Sequence, residues 1–274
     1  MLCAVLMSDA LFRKVIWRHF RAYRRDFPWR RTKDPYHILV SEVMLQQTQT
    51  QRVIQKYGEF LTRFPNFKTL AHARLSQVFR VWQGMGYNRR ALALKRLAVI
   101  VVRDYKGRLP QDLEQLVALP GVGNATAGAI CAFAFNKPVP FIETNIRRVY
   151  IHFFFPQKRK VQDADILKLV ARTIDMRYPR EWFWALMDYG AMLAVRSSQN
   201  PNRRSLHYRK QTPFMGSRRQ LRGKILKLFI IEQKLSAKTL AHRFQKPIGE
   251  LKPILKALAT EGFIRQKAED FTLV

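Results

Sequence analysis

Residues 116–148 read LVALPGVGNATAGAICAFAFNKPVPFIETNIRR, and the architecture of the chain is organised around them. The segment opens with the end of a helix, which stops before Pro120 because proline cannot continue it. Gly121 and Gly123 then supply backbone angles that other residues avoid. This pattern predicts a tight hairpin between two helices.

The second helix of the hairpin is an apolar run that ends near Phe135. Asn124 or Thr126 can cap its N-terminus, since both side chains accept hydrogen bonds from backbone N–H groups. Successive N–H groups that point outward beside a helix N-terminus form a nest for a phosphate and read no base sequence. We therefore expect Gly121, Gly123, Asn124 and Thr126 to contact the backbone of a nucleic-acid strand.

A carboxylate follows the hairpin at the start of the next helix. The stiff connector Pro138-Val139-Pro140 leads to Glu143, which comes shortly before a helix predicted over residues 146–155. One interpretation of Glu143 is a charge that satisfies the helix dipole. The other is an acid held beside a bound phosphate, an arrangement suited to chemistry on a nucleic-acid strand.

The composition favours a nucleic-acid partner. Lys and Arg number 50 against 19 Asp and Glu, which gives 274 residues a formal net charge of +31. Such an excess repels itself unless a polyanion is near, so nucleic acid is the leading partner and an anionic lipid surface is the alternative. Because 47% of the residues are hydrophobic, we expect a globular chain with an ample core.

The sequence also bounds the cellular setting. No apolar run approaches the about 18 residues of a membrane span, and the apolar N-terminus is too short for a secretion signal. Cys3 and Cys131 lie far apart in the chain, so neither a disulfide framework nor a cysteine metal cluster is expected. These features predict a cytoplasmic protein with no membrane partner, associated with the nucleoid if the source is prokaryotic.

A second carboxylate, Glu42, stands in an apolar helical segment with Ile38, Leu39, Val43 and Met44. An acid in such a segment is unusual. If it is buried, its charged form is disfavoured and its pKa rises, so that it can carry a proton at neutral pH and deliver it. The alternative is a single acid on the exposed edge of the helix.

The turn Gly84-Met85-Gly86-Tyr87-Asn88 displays an aromatic side chain between two predicted helices. A tyrosine on such a turn can push between bases, as wedge side chains do. It is as often a packed loop residue.

Helical periodicity dominates the chain, and predicted strands are confined to its C-terminal end, so the predicted fold class is mainly α. Residues 196–224 hold nine basic residues and no acid. We interpret this basic stretch as a linker or an ordered loop whose charge fits a nucleic-acid backbone. The predicted domains are a helical body over residues 1–216, with the basic loop 196–216 at its end, and a small unit over residues 217–274.

The C-terminal unit has the element order of a winged helix-turn-helix. Its predicted elements are three helices over residues 221–233, 237–244 and 250–261, and a two-stranded wing over residues 263–265 and 270–274. Pro253 is expected in the first turn of the third helix. Such units often bind DNA, but this helix carries only Lys252 and Lys256, so a packing or protein-contact role stays open.

Three segments carry a family resemblance: residues 27–52, FPWRRTKDPYHILVSEVMLQQTQTQR, residues 82–87, WQGMGY, and residues 119–130, LPGVGNATAGAI. Together they resemble the helix–hairpin–helix (HhH-GPD) DNA glycosylases, specifically the MutY-type adenine glycosylases. The resemblance covers about residues 10–196 and implies lobes of about residues 31–137 and of residues 1–30 plus 138–195. It further implies DNA bound across their cleft and a base that is flipped out and cut from its sugar.

The resemblance also implies a division of chemical roles. Glu42 matches the general acid that protonates the adenine ring, and Glu143 falls where the family places its catalytic aspartate. Breaking an N-glycosidic bond needs a leaving base made neutral by protonation, and negative charge near the sugar as its cation develops. Two carboxylates in different environments can divide those tasks.

Other site residues follow from the same resemblance. Trp29, Arg30 and Asn145 match residues of the base pocket. Gln47 and Tyr87 match residues that fill the gap beside the flipped nucleotide.

Ala125 stands where bifunctional relatives of the endonuclease III type carry a Schiff-base lysine, which argues for base removal without strand cleavage by that amine. The sequence departs from the family in three features. Glu143 is one methylene longer than aspartate, so its carboxylate must be re-aimed or the rate falls. The four cysteines of an iron–sulfur cluster are absent, and we expect the basic loop to take over phosphate binding there. The winged helix stands in place of a domain that senses 8-oxoguanine, so this opposite-base preference does not carry over.

These observations lead to three hypotheses. The first is a monofunctional glycosylase that removes a mispaired base, most simply adenine, from duplex DNA in base excision repair. The second is a glycosylase of the same fold for uracil, thymine or a damaged base, and the third is a non-catalytic DNA-binding protein. We expect a monomer whose partner is double-stranded DNA with a mismatched or damaged base. No cofactor is expected beyond a structural monovalent cation that the hairpin could hold.

Overall fold

The computed structural model describes residues 7–209 and 213–274, and it confirms the mainly α fold. Cys3 and Lys210 lie outside the described residues. The helices among the described residues are α1 (Asp9–Tyr23), α2 (Pro35–Leu45), α3 (Thr50–Arg63), α4 (Phe67–His72), α5 (Leu75–Trp82), α6 (Arg89–Asp104), α7 (Leu113–Val117), α8 (Asn124–Phe135), α9 (Thr144–Phe154), α10 (Asp163–Thr173), α11 (Pro179–Arg196), α12 (Arg218–Glu232), α13 (Ala237–Phe244) and α14 (Ile248–Thr260). The strands are β1 (Lys234–Ser236), β2 (Ile264–Lys267) and β3 (Asp270–Leu273).

Packing divides the chain into two units. The first comprises Met1–Glu42, Pro110–Ala118 and Val122–Lys210, and the second comprises Val43–Leu109, Leu119–Gly121 and Gln211–Val274. The lobe and domain boundaries expected from the sequence stay predictions.

The hairpin between α7 and α8 forms where the sequence places it, but two details of the prediction are wrong. Gly121 has a φ of +78°, a left-handed angle that favours glycine, whereas Gly123 has an ordinary extended backbone with φ −96°. The residue that caps α8 is Gly123 itself, and no side chain supplies the capping hydrogen bond. Asn124 and Thr126 cannot serve as the cap because α8 already begins at Asn124.

Close contact between α9 and α11 organises the first unit. A Cβ on Gly190 of α11 would lie 2.4 Å from the carbonyl oxygen of Asn145 in α9, so only glycine permits this approach. Beside this contact, Phe12 of α1 meets the fully buried Trp182 edge to face, with ring centroids 5.9 Å apart. The packing holds the N-terminal turn of α9 in place.

Part of the basic stretch is ordered against the first unit. Asn202 donates from Nδ2 to the carbonyl oxygen of Thr144 at 3.0 Å, and Val161 forms a parallel bridge with Ser205. Residues 200–206 therefore form a structured loop beside the start of α9.

In the second unit the winged helix packs directly on α5 and α6. The carboxylate of Glu261 accepts two hydrogen bonds from Arg89, both at 2.6 Å, and one from Arg222 at 2.6 Å. Phe263 is fully buried and stacks on Phe79 of α5, with centroids 5.2 Å apart and planes 23° apart. Polar and apolar contacts thus fix the winged helix to these two helices.

The winged helix differs from its prediction in two ways. The sheet has three strands in the order β1-β3-β2, because β1 pairs antiparallel with β3, with Leu235 opposite Phe271. Pro253 lies inside α14 and not in its first turn, since that helix begins at Ile248. Its missing N–H leaves the carbonyl of Gly249 without the usual helical donor.

No helix among residues 7–209 and 213–274 is long and apolar enough to cross a membrane.

Candidate active site

Glu143 is the residue that caps α9, and the cap aims its carboxylate. Oε1 accepts hydrogen bonds from the backbone N–H groups of Asn145 and Ile146, both at 2.7 Å, and Oε2 accepts one from Asn145 Nδ2 at 3.2 Å. The two interpretations of Glu143 are therefore compatible, because a carboxylate that satisfies the helix terminus is also fixed in direction.

The buried side chain of Arg148 supports this cap through hydrogen bonds. Arg148 donates from Nη1 to Asn145 Oδ1 at 2.8 Å and to the carbonyl oxygen of Gly190 at 2.7 Å. Asn145 is thereby held between Arg148 and Glu143, with its amide turned so that its Nδ2 group faces the carboxylate. Asn145 and Arg148 act on Glu143 as positioning residues.

Glu42 lies in the same unit, on α2. Its side chain is half-buried, and burial raises its pKa from an ordinary 4.5 to about 8, with a further rise from the charge of Glu143 and an opposing effect of Arg30. Glu42 is therefore protonated at neutral pH, as expected for an acid in an apolar helix.

The environments of the two acids differ. Burial raises the pKa of Glu143 as well, but hydrogen bonds from the backbone of Asn145 and Ile146 and the charge of Arg148 oppose that rise. Because the two carboxylates interact, they titrate as a pair. The backbone hydrogen bonds and the charge of Arg148 favour the charged form of Glu143, whereas burial and the charge of Glu143 favour the protonated form of Glu42. Two acids in such different environments are what acid-assisted departure of a base requires.

The residues expected to line the base pocket are closely packed. Arg30 is buried and donates from Nη2 and Nη1 to the two carboxylate oxygens of Asp188 at 2.8 and 2.9 Å. Trp29 is also buried and stacks on Phe27, with centroids 5.1 Å apart. The positive charge of Arg30 favours the charged form of Glu42 and so opposes part of the rise in the pKa of Glu42. The two hydrogen bonds to Asp188 hold the Arg30 guanidinium in place.

Gln47 and Tyr87 lie on two exposed turns of the second unit. Both have left-handed backbones, with φ of +53° and +46°, which is uncommon for residues other than glycine. Tyr87 keeps 40% of its surface exposed. Their positions leave both side chains accessible, as a wedge requires.

The hairpin residues have room for a ligand. A Cβ added at Gly123 would meet no atom within 4 Å, so a phosphate could approach the N-terminus of α8 closely there. Within the second unit, the amide of Gln46 donates to the carbonyl oxygen of Gly121 at 3.3 Å.

Sequence reasoning missed two residues of this arrangement, Asp188 and Arg148. Asp188 could have been found, because it is a lone acid in the apolar helical run WFWALMDYGAML, the same signal that singled out Glu42. Arg148 could not, because nothing local distinguishes it among 50 Lys and Arg residues.

The chain does not fit an iron–sulfur cluster. Such a cluster needs four cysteine thiolates, whereas the sequence contains two cysteines, of which Cys131 is buried within α8. Among the described residues, no group of three or more His, Cys, Asp and Glu side chains is placed to hold a metal ion.

Several known proteins are similar to this chain in sequence and in fold. Residues 40–172 match the HhH-GPD superfamily of base excision DNA repair proteins. The chain is 35% identical over 202 residues to the adenine DNA glycosylase of Buchnera aphidicola subsp. Baizongia pistaciae, covering 72% of this chain and 56% of that protein. The chain thus spans only a little more than half the length of that relative.

Two further similarities involve a different target base. A thymine/uracil-DNA glycosylase of Methanothermobacter thermautotrophicus is 35% identical over 188 residues, covering 68% of this chain and 85% of that protein. The solved structure of a thermostable thymine-DNA glycosylase superposes with a TM-score of 0.62 at 27% identity, covering 72% of this chain and 93% of that one. With the hairpin and the helical fold, these similarities place the chain in the HhH-GPD superfamily of base excision DNA repair proteins.

Proposed function

We propose that the chain is a monofunctional DNA N-glycosylase of base excision repair, which hydrolyses the bond between a mispaired base and its sugar. The observation that supports this most directly is the pair Glu42 and Glu143. Glu42 has a pKa of about 8 and holds a proton at neutral pH, and the carboxylate of Glu143 is fixed in direction by three hydrogen bonds.

Glu42 acts as the general acid. The base leaves with the electron pair of the broken C–N bond, and a proton on a ring nitrogen makes it a neutral leaving group. A pKa of about 8 keeps Glu42 protonated at pH 7 and close enough to the operating pH for efficient transfer.

Glu143 stabilises the sugar cation and positions water. As the bond breaks, positive charge develops on the sugar ring, and a preorganised carboxylate stabilises that charge without moving. Water then forms the new bond to the sugar carbon, and its proton passes to the carboxylate. Asn145 and Arg148 keep the carboxylate aimed during these steps.

Strand cleavage through an amine is not part of this reaction. Ala125, in the first turn of α8, has no side-chain amine to form a Schiff base with the opened sugar. The product is therefore an abasic site in an intact strand.

Adenine is the first candidate for the target base. The Buchnera relative is named an adenine glycosylase, and protonation of a ring nitrogen assists a purine most directly. Thymine or uracil is the second candidate, because the archaeal relative and the superposed structure carry those bases in their names.

We propose that the chain binds double-stranded DNA through its basic surface and its hairpin. The charge of +31 provides affinity for a phosphate backbone, and the α7–α8 hairpin with Gly121, Gly123, Asn124 and Thr126 offers a phosphate contact. Gln47 and Tyr87 are proposed to occupy the space that the extruded nucleotide leaves. We propose that a monomer binds the duplex.

A panel of duplexes tests the proposal. The protein is incubated with adenine opposite 8-oxoguanine, adenine opposite guanine, uracil opposite guanine and thymine opposite guanine, and abasic sites are then cleaved by alkali. We expect cleavage of one or more of these duplexes only after the alkali treatment. Absence of product from every mismatched or damaged base would refute the enzymatic assignment.

Two substitutions and a matched control assign the chemistry. Glu42→Gln and Glu143→Gln should reduce the single-turnover rate by at least about a hundredfold, while duplex affinity persists. Glu59→Gln removes an exposed acid that pairs with Lys56, and it should leave the rate unchanged. A non-catalytic DNA-binding protein would show no excision with any of the four proteins.

A further inference from the structure

The turn that carries Gln47 and the turn that carries Tyr87 meet at one buried side chain. Arg90, in the first turn of α6, is only 8% exposed, and no carboxylate is among its hydrogen-bond acceptors. Its guanidinium instead faces backbone oxygens. A buried cation that solvates loop carbonyls is unusual and calls for an explanation.

One nitrogen of Arg90 donates hydrogen bonds at the turn that carries Gln47. Nη1 lies 2.9, 2.8 and 2.6 Å from the carbonyl oxygens of Val43, Met44 and Gln46. The first two carbonyls belong to the last turn of α2, where helical partners run out. The third immediately precedes Gln47.

The other nitrogen of Arg90 donates hydrogen bonds at the turn that carries Tyr87. Nη2 lies 3.2 Å from the carbonyl oxygens of Met85 and Gly86, and 2.9 Å from Thr48 Oγ1. Trp82 Nε1 donates to the same Gly86 carbonyl at 3.1 Å. The guanidinium carbon also lies 5.4 Å from the ring centroid of Tyr87 and 5.4 Å from that of Trp82.

The two turns need such support. Gln47 and Tyr87 both adopt left-handed backbones, which are strained for residues with a side chain and persist only where the surroundings hold them. Arg90 contacts the carbonyl just before each of them, Gln46 in one turn and Gly86 in the other. A planar guanidinium with two separated nitrogens can bridge two turns, whereas an ammonium concentrates its donors at one point.

We infer that Arg90 is a positioning residue that fixes both proposed wedge residues, Gln47 and Tyr87, so that extrusion of a base depends on it more than bond cleavage does. This inference rests on the proposed glycosylase function. A misplacement of about 1 Å at such a position can reduce a rate by about a hundredfold. The loss should therefore be confined to substrates whose base must be pushed out of a stack.

The test uses Arg90→Lys, which keeps the charge but cannot span both turns. Its matched control is Arg96→Met in the same helix, since Arg96 also donates to a carbonyl at a helix end, that of Glu261 at 3.0 Å, but contacts neither turn. Each protein is assayed in single turnovers on a target base within a paired duplex and on the same base in a single-nucleotide bulge. A second arm follows the fluorescence of 2-aminopurine at the mismatch of a non-hydrolysable duplex.

We expect Arg90→Lys to lower the duplex rate by about tenfold to a hundredfold and the bulge rate by less than about threefold. It should also lose most of the fluorescence rise on binding, while Arg96→Met matches the wild type in both arms. Equal loss on both substrates, or no loss on either, would overturn the inference.

If the wild type excises no base, the proposed function fails, but the fluorescence measurement still tests whether base extrusion depends on Arg90. If Arg90→Lys does not fold, Thr48→Val removes one contact of the same guanidinium with little change of shape. Thr48→Val should then lower the duplex rate by about threefold and leave the bulge rate intact. An unchanged duplex rate and fluorescence with Thr48→Val would count against Arg90 as the positioning residue.

Discussion

At the scale of single residues, the raised pKa that suits Glu42 to act as an acid also lowers the stability of the folded protein as the pH rises. The folded protein binds its proton more tightly than the unfolded chain, because burial lifts the pKa from 4.5 to about 8. Unfolding therefore releases a proton between these pH values, and the free energy of unfolding falls as the pH rises through that window. Below about pH 4.5 the acid is protonated in both states, and the penalty disappears.

Glu42→Gln should remove this penalty. We expect the variant to melt at a higher temperature than the wild type at pH 8, and the difference to shrink steadily towards pH 5. The measurement is the melting temperature of both proteins between pH 5 and pH 8.5 at constant ionic strength. Parallel curves for the two proteins would show that Glu42 is not held in its neutral form by the fold.

At the scale of elements, the aim of Glu143 depends on how closely α9 and α11 approach. A Cβ on Gly190 would lie 2.4 Å from the Asn145 carbonyl oxygen, so the backbone of Asn145 occupies the space that a methyl group would need. The carbonyl of Gly190 accepts from Arg148, which in turn holds Asn145. The direction of the Glu143 carboxylate therefore depends on the packing of α9 against α11.

Gly190→Ala should separate the two helices. We expect a loss of about 1–3 kcal/mol in the free energy of unfolding, typical of overpacking, together with a lower excision rate. Gly58→Ala in α3 is the matched control, because a Cβ there meets no atom within 4 Å. It should stabilise the protein by about 0.5–1 kcal/mol and leave excision unchanged. Chemical denaturation measures the free energy of unfolding of both variants. An unchanged free energy of unfolding in Gly190→Ala would contradict the close approach of α9 and α11.

The attachment of the winged helix also belongs to this scale. Glu261 is largely covered, with 17% of its side chain exposed, and accepts from Arg89 and Arg222. Burial alone would raise the pKa of Glu261, but these two arginines outweigh it and lower the value. The carboxylate is thus charged where α6 meets the end of α14.

Glu261→Gln should weaken this attachment. Loss of charge-assisted hydrogen bonds predicts about 1–2 kcal/mol less stability. Glu269→Gln, in the same unit, removes an acid that is 80% exposed and lies 3.4 Å from Lys238, and it should change stability by less than about 0.5 kcal/mol. The two variants are compared by urea denaturation at low salt. Equal effects would mean that the Glu261 contacts do not hold the winged helix in place.

At the scale of the whole molecule, the net charge of +31 dominates any encounter with DNA. Binding to a duplex without a mismatch should be tight at low salt and lose about three to five orders of magnitude between 50 and 200 mM salt, if six to ten phosphates are contacted. Fluorescence anisotropy across that range measures the slope. The slope should be the same for Glu42→Gln at pH 7, because Glu42 is protonated there and the substitution changes no charge. A salt-independent affinity would show that the basic surface is not the binding surface.

Much of the architecture follows from local sequence. Helical periodicity and helix-breaking residues predict the elements of the body, and LPGVG predicts the hairpin, because proline and glycine act on the backbone where they stand. The errors occur where local signals compete. Pro253 proved compatible with a helix interior, and β1 is too short to be recognised without its partner β3.

The sequence by itself indicated the family and the two candidate acids, since apolar runs and motif residues are written in consecutive positions. Only the tertiary structure decided that the pKa of Glu42 is raised and that Glu143 is held by three hydrogen bonds, because the burial and the neighbouring charges that set a pKa come from distant parts of the chain. Arg30 finds Asp188 across 158 positions, and Arg90 finds the Val43 carbonyl across 47. Contacts over such separations exist only once the helices have packed, so the chemistry of this protein is a property of its fold.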